Sequence, residues 1–306
     1  MKRQLLLTLA IVMCCGLTFA QPRSASEPKL LVKADVSLMA PVWSPNGDKI
    51  AVTSTAYTGV FVANADGSDL KCVTDAAGAG YKMQWSTDSK QILGRTNIVE
   101  NNRVLHEVKV WSVNNSSART LIHKTRDLKG TPTWKSIDRV IISDRAGVRT
   151  LSLNGNPTAT VANAYDIMMN DPVGAMTKIA SLKDLGGRLV LNPSLSPDGK
   201  KVAFQVYGKG MYVCNIDGSA LKSIGLGVYP TWLPDNECVV FNRTTDDGSR
   251  LTASQLIAMN VNTGKTVTLV ANSDIIPLKS TVSPDVKKIA FENVADEAIY
   301  VVNLKY

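Results

Sequence analysis

The chain has 306 residues, 44% of them hydrophobic and 20% charged, with 34 Lys+Arg against 26 Asp+Glu and five cysteines. So few cysteines in so long a chain exclude a disulfide-stapled scaffold. The positive balance is spread along the sequence without a basic run or recognition motif, which excludes nucleic acid as a partner.

The N-terminus reads as an export signal. Lys2 and Arg3 precede an apolar stretch from Leu5 to Leu17, and Thr18-Phe19-Ala20 places small residues at a signal-peptidase site, so cleavage is expected after Ala20. The stretch is too short to span a bilayer. Cys14 and Cys15 follow Met13 and Cys14 rather than the small residue that lipidation needs, so a lipoprotein is not expected. No later segment could span a membrane, and the mature chain is expected in the periplasm or outside the cell, as a monomer. Removing Lys2 and Arg3 leaves 32 cationic against 26 anionic residues, a balance of +6 that suits an acidic protein face or lipopolysaccharide head groups. Cys72, Cys214 and Cys238 each lie in an apolar run and are expected as buried small hydrophobes.

Residues 21–27 read as a short linker, and an internal repeat fills the remainder, 28–306. Four copies are clear: APVWSPNGDKIAV from Ala40, NPSLSPDGKKVAF from Asn192, YPTWLPDNECVVF from Tyr229 and STVSPDVKKIAF from Ser280. Two weaker copies are KMQWSTDSKQIL from Lys82 and TPTWKSIDRVII from Thr131. The anchor residues Trp43, Trp85, Trp134, Leu195, Trp232 and Val282 are spaced by 42, 49, 61, 37 and 50 residues, near the period of propeller blades. In each copy an apolar strand ends at the anchor, a Pro-Asn-Gly or Pro-Asp-Gly type turn follows, and a second strand is apolar on both parities, as in Ile50-Ala51-Val52. Apolar residues on both faces require cover on both faces, which neighbouring blades supply. A third strand, an Asp-Gly or Asn-Thr-Gly turn and a short fourth strand complete a four-stranded antiparallel meander.

The last copy lacks a fourth strand, and Lys29-Leu30-Leu31-Val32-Lys33 has the character of one. The expected fold is therefore an all-β, six-bladed propeller closed by its N-terminal strand, which removes an exposed sheet edge.

These motifs resemble the TolB-type propeller repeat, a relative of WD repeats, over about 28–306. The resemblance implies architecture, because one propeller fold hosts many activities. TolB carries an additional N-terminal α/β domain, for which residues 21–28 leave no room. Dipeptidyl-peptidase-like enzymes use the same repeat type ahead of a hydrolase domain, and oligogalacturonate lyases use it with a metal held by several histidines.

The chemistry expected is binding rather than catalysis, without metal or cofactor. His106 and His123 lie in one blade, and Glu107 has the wrong parity to join them at a metal. There is no G-x-S-x-G or H-E-x-x-H motif. Gly264-Lys265-Thr266 lacks the earlier glycine of a phosphate loop, where Met259 stands, and Asp66-Gly67-Ser68 recurs as Asp217-Gly218-Ser219 in an equivalent turn.

Candidate contacts are aromatic, Arg and acidic residues on the loops at one end of the ring. Tyr81, Arg126, Asp127, Arg188 and Tyr229 fall on the connections between blades. Tyr57, Arg145, Tyr207 and Arg243 fall on the connections between second and third strands. The segment between Pro157 and Val190, with Tyr165, Asp166, Met168, Met169, Asp171, Met176 and Lys178, reads either as a binding loop or as a packed insertion whose methionines fill gaps. The expected function is a scaffold for an envelope protein or peptide. Binding or lysis of an acidic glycan, and gating of peptides for a separate peptidase, are the alternatives.

Overall fold

A computed structural model describes residues 21–153, 157–158, 176, 185–186, 189–271 and 273–306. Two short strands open the chain, β1 (Ser24–Ala25) and β2 (Lys29–Val32). Blade 1 follows as β3 (Leu38–Trp43), β4 (Lys49–Ser54), β5 (Val60–Asn64) and β6 (Lys71–Thr74). Blade 2 comprises β7 (Gln84–Trp85), β8 (Gln91–Glu100), β9 (Arg103–Ser112) and β10 (Ala118–Thr125). Blade 3 comprises β11 (Thr133–Ser136), β12 (Arg139–Asp144), β13 (Gly147–Ser152) and β14 (Pro157–Thr158). Blade 4 comprises β15 (Val190–Leu195), β16 (Lys201–Val206), β17 (Gly210–Asn215) and β18 (Lys222–Gly225). Blade 5 comprises β19 (Val228–Trp232), β20 (Cys238–Asp246), β21 (Leu251–Asn260) and β22 (Thr266–Val270). Blade 6 comprises β23 (Pro277–Val282), β24 (Lys288–Asn293) and β25 (Ala298–Lys305).

Each blade is an antiparallel meander, and the sixth is completed from the other end of the chain as the sequence implies. Leu30 pairs with Tyr300 and Val32 with Ile299 across β2 and β25. The stretch expected as linker also contributes, because Ser24 pairs with Lys305 and Ala25 with Leu304. Gly67 shows how tightly the closing strand is seated: at φ +88, a Cβ there would lie 1.9 Å from the Leu31 carbonyl oxygen.

The second strands are buried on both parities. Ile50, Ala51 and Val52, like Ile289, Ala290 and Phe291, are fully buried. Their alternate side chains enter different cores between blades: Ala51 packs with Trp85 and Ile92 toward blade 2, and Ile50 and Val52 with Ala290 and Ile299 toward blade 6. Met176, from the segment before blade 4, is buried with Val202 and Phe204. That fits the gap-filling reading for this one methionine; Tyr165, Asp166, Met168, Met169, Asp171 and Lys178 lie outside the described residues. Cys72 corrects an expectation. It sits on the outer strand β6, whose apolar neighbours do not cover it, and it is exposed, whereas Cys214 and Cys238 are buried. Burial raises the Cys214 thiol to about 11.

Two devices recur from blade to blade. A buried serine after the anchor donates to the turn carboxylate or amide, as in Ser86 to Asp88 (2.6 Å) and Ser196 to Asp198 (2.7 Å). The same oxygen accepts from the backbone N–H that starts the second strand, as in Gln91 to Ser86 and Lys201 to Ser196, both 2.9 Å. The anchor tryptophans tie blade to blade: Trp85 Nε1 donates to Val42 O, Trp134 Nε1 to Gln84 O and Trp232 Nε1 to Ser194 O. Trp43, at the closing seam, has its buried Nε1 without a partner among the described residues.

Candidate functional site

The innermost strands form the site's wall. Ala40, Lys82, Asn192, Tyr229 and Lys279 adopt φ of 49°, 50°, 48°, 54° and 44°. Each stands three residues before its blade's anchor. In blades 1, 4, 5 and 6 the pairing register shifts there, the signature of a β-bulge. The bulges place Ala40, Asn192, Tyr229 and Lys279 on the wall of a central cavity of about 330 Å³, with Pro41, Pro193 and Pro230 beside them. Left-handed backbone at non-glycine residues is disfavoured, so the surrounding sheet must hold it in place.

An aromatic and cationic array lies at the mouth. Tyr57 and Tyr81 meet edge to face, with ring centroids 5.0 Å apart. Lys279 Nζ lies 5.4 Å from the Tyr57 ring centre and 5.9 Å from that of Tyr229. The Arg95 guanidinium lies 5.8 Å from the Tyr81 ring centre and donates to Gly130 O, and Lys82 Nζ lies 5.8 Å from the same ring. Such contacts each contribute about 0.5–2 kcal/mol, more as they are desolvated. Buried Glu292 fixes the centre: it pairs with Lys279 at 3.3 Å and accepts from the Ala40 N–H at 2.8 Å.

Burial, with the Glu292 charge beside it, raises the Tyr57 hydroxyl above the ordinary tyrosine value. Burial raises Tyr229 as well, against the opposing pull of Lys279. Arg95 is lowered by burial, and His106 by burial and then by the Arg95 charge.

The loops between blades and those between second and third strands share one end of the ring. They are stitched by backbone bonds such as Gly80 N–H to Tyr57 O and Val294 N–H to Ile276 O. Of ten exposed large hydrophobic side chains among the described residues, seven lie at this end: Val36, Val99, Val104, Leu189, Tyr207, Leu226 and Val294. The opposite end is built of the polar serine–aspartate turns, and there the loop after each third strand returns a backbone bond, as in Ala65 N–H to Asp48 O.

The structure brings three of the expected residues together: Lys279 bridges Tyr57 and Tyr229, and Tyr57 meets Tyr81. Asp127 and Arg145 meet as an ion pair at 2.7 Å, in the blade 2–3 sector. Arg126 is exposed next to them, Tyr207 is exposed on blade 4, and Arg243 is exposed on β20 of blade 5. Arg188 lies outside the described residues. His123 is exposed on β10, and His106 bonds the Asn97 side chain at 3.0 Å. Sorting loops by residue type passed over Lys279, Lys82 and Arg95. The first two carry a signal in the repeat itself, the fixed offset from the anchor; Arg95 sits inside a strand and carries none.

No protein-family model matches the sequence, and no curated protein matches it. Among solved structures, the chain is similar to a putative TolB from Agrobacterium tumefaciens, with 16% identity, 94% of this chain and 100% of that one covered, and a TM-score of 0.49. An oligogalacturonate lyase in complex with manganese shows 13% identity, covers 93% and 95%, and has a TM-score of 0.48. TolB from Acinetobacter baumannii shows 12% identity, covers 88% of this chain and 63% of its own, and has a TM-score of 0.44. The six-bladed assignment rests on the strand pairing described above.

Proposed function

We propose that the chain is an exported, non-catalytic binding module that docks a protein or peptide of the cell envelope on its loop face. The observation that carries this reading is the gathering of exposed apolar side chains at one end of the ring, around the mouth lined by Tyr57, Tyr81 and Tyr229. Apolar surface concentrated on one face marks an interaction site, and tyrosines are frequent anchors of such interfaces. Export rests on the Lys2-Arg3, Leu5-to-Leu17 and Thr18-Phe19-Ala20 pattern. No helix among the described residues is long and apolar enough to cross a membrane. A second reading, binding of an acidic glycan, is favoured by Arg95 and Lys82 beside the Tyr81 ring, an arrangement suited to a carboxylated sugar.

The test is capture from envelope extract by immobilised residues 21–306, at low and moderate salt, against a Tyr57→Ala/Tyr229→Ala double variant. One abundant protein retained at moderate salt by the wild type and depleted at least about ten-fold by the variant is the expected result. Equal capture by both proteins, or recovery of salt-labile polysaccharide alone, overturns the docking reading.

A further inference from the structure

Two hairpins outgrow the ring. In blades 1, 3, 4 and 6 the second strand has six residues, but β8 and β9 have ten each, and β20 and β21 have nine and ten. Four additional residues carry a strand roughly 13 Å further. Two blades lie between blades 2 and 5 in either direction, so the hairpins stand on opposite sides of the mouth.

Their tips differ in chemistry. The blade 5 tip is polar, ending in Thr244, Thr245, Asp246 and Asp247. The blade 2 tip turns at Asn101-Asn102, with φ of 49° and 57°, the backbone of a tight two-residue hairpin turn. Just below it Val99 and Val104 face each other across the strands. They are 71% and 51% exposed, although both belong to regular, paired strands.

Cations surround this tip in excess. From residue 81 to 153, every carboxylate at the loop end has a cation of its own: Glu107 with Lys109, Asp127 with Arg145 and Asp144 with Arg149 at 2.7 Å, and Glu100 with Lys124. Arg103, in the hairpin, and Arg126 and Lys129, in the β10–β11 connection, have no carboxylate partner among the described residues and are exposed. That connection lies at the hairpin's base, because Thr125 pairs with His106 on β9.

We propose that the β8–β9 hairpin and the β10–β11 connection form the docking surface for an acidic polypeptide segment bearing aliphatic side chains. Its aliphatic groups cover Val99 and Val104, and its carboxylates meet Arg103, Arg126 and Lys129. This assignment rests on the loop-face reading and names the partner's chemistry. Charge complementarity selects an acidic partner, and the exposed valine pair selects a polypeptide over a polyanionic sugar, which gains nothing from it.

Fluorescence anisotropy with residues 21–306 tests the assignment. The probes are a labelled dodecapeptide of alternating Glu and Leu, a Lys–Leu counterpart, and labelled octagalacturonate. The Glu–Leu peptide binds, weakens as salt rises from about 50 to about 300 mM, and loses about ten-fold or more in both Val104→Asp and Arg103→Glu, while Arg103→Lys retains most of it. These positions are exposed, and an unchanged thermal midpoint confirms that each variant is folded. Equal binding of both peptides, binding of octagalacturonate as tight as that of the Glu–Leu peptide, hairpin variants that bind like the wild type, or no peptide binding each overturn the assignment. The Tyr57→Ala/Tyr229→Ala variant separates the two readings: a peptide lost there but kept by the hairpin variants leaves the loop face standing and removes the hairpin. If no peptide binds the wild type, the envelope capture decides the face on its own.

Discussion

Ser86 shows how one side chain fixes the geometry of a blade. It is fully buried, donates to Asp88 and accepts from the Gln91 N–H, so the turn between first and second strands has its polar groups satisfied. Ser86→Ala leaves that N–H without its acceptor and is expected to cost about 1–3 kcal/mol; chemical denaturation reads the difference. The hydrogen bond from Ser86 is also the first cause that lowers Asp88, so its carboxyl pKa, followed by NMR, rises in the variant. His106 gives a second expectation. Burial and then Arg95 depress its pKa in the fold, so the unfolded chain takes up the proton first as pH falls. Above about pH 6.5 both states are neutral there and the residue contributes no pH dependence. Below that value the folded state loses stability until its own lower pKa is passed. His106→Gln therefore flattens the fall in thermal midpoint between about pH 7 and 5. The effect is small, because the ring is partly exposed, and identical slopes in the two proteins would refute it.

At the scale of the element, repeats were legible where they carry apolar residues and obscure where they do not. The second strands announced themselves because burial on both faces forces apolar residues onto both parities, as in Val202-Ala203-Phe204. Third and fourth strands are bounded by their turns, as where Asp217-Gly218 separates β17, ending at Asn215, from β18, starting at Lys222. The projecting halves of β8–β9 and β20–β21 escaped notice because they leave the core and are no longer constrained by it; Arg243-Thr244-Thr245-Asp246 has no apolar alternation. The mouth was half legible. Tyr57, Tyr81 and Tyr229 stood out by type, whereas Lys279 is marked only by its fixed offset from the anchor, because its bulge is a backbone feature that other residue types share at that offset.

For the molecule as a whole, the ring depends on its seam. The other junctions join blades that follow each other along the chain, whereas blade 6 meets blade 1 only after the chain has travelled the full circuit. The closing strand covers the β25 edge and passes within contact of the blade 1 turn at Gly67. Gly67→Ala puts a methyl group into the Leu31 carbonyl and imposes side-chain strain at positive φ, so it is expected to destabilise by more than the roughly 1–2 kcal/mol of the backbone effect alone. Gly264→Ala is the control, at φ +75 with open space around it. Equal losses in the two variants, measured by denaturant titration, would show that the seam is no tighter than an ordinary turn.

The course of the first residues has a practical corollary. Just ahead of the residues that pair with Lys305 and Leu304 stands Gln21, whose side chain donates to Lys265 O in the turn after β21. Tyr306 donates to Val286 O in the turn after β23. Gln21 and the C-terminal Tyr306 therefore both lie at the polar end, with the loop face at the far pole. A tag, a surface linker or a fused domain at the C-terminus orients the molecule with its aromatic mouth toward solution, and many copies grafted to one surface would all present that mouth outward.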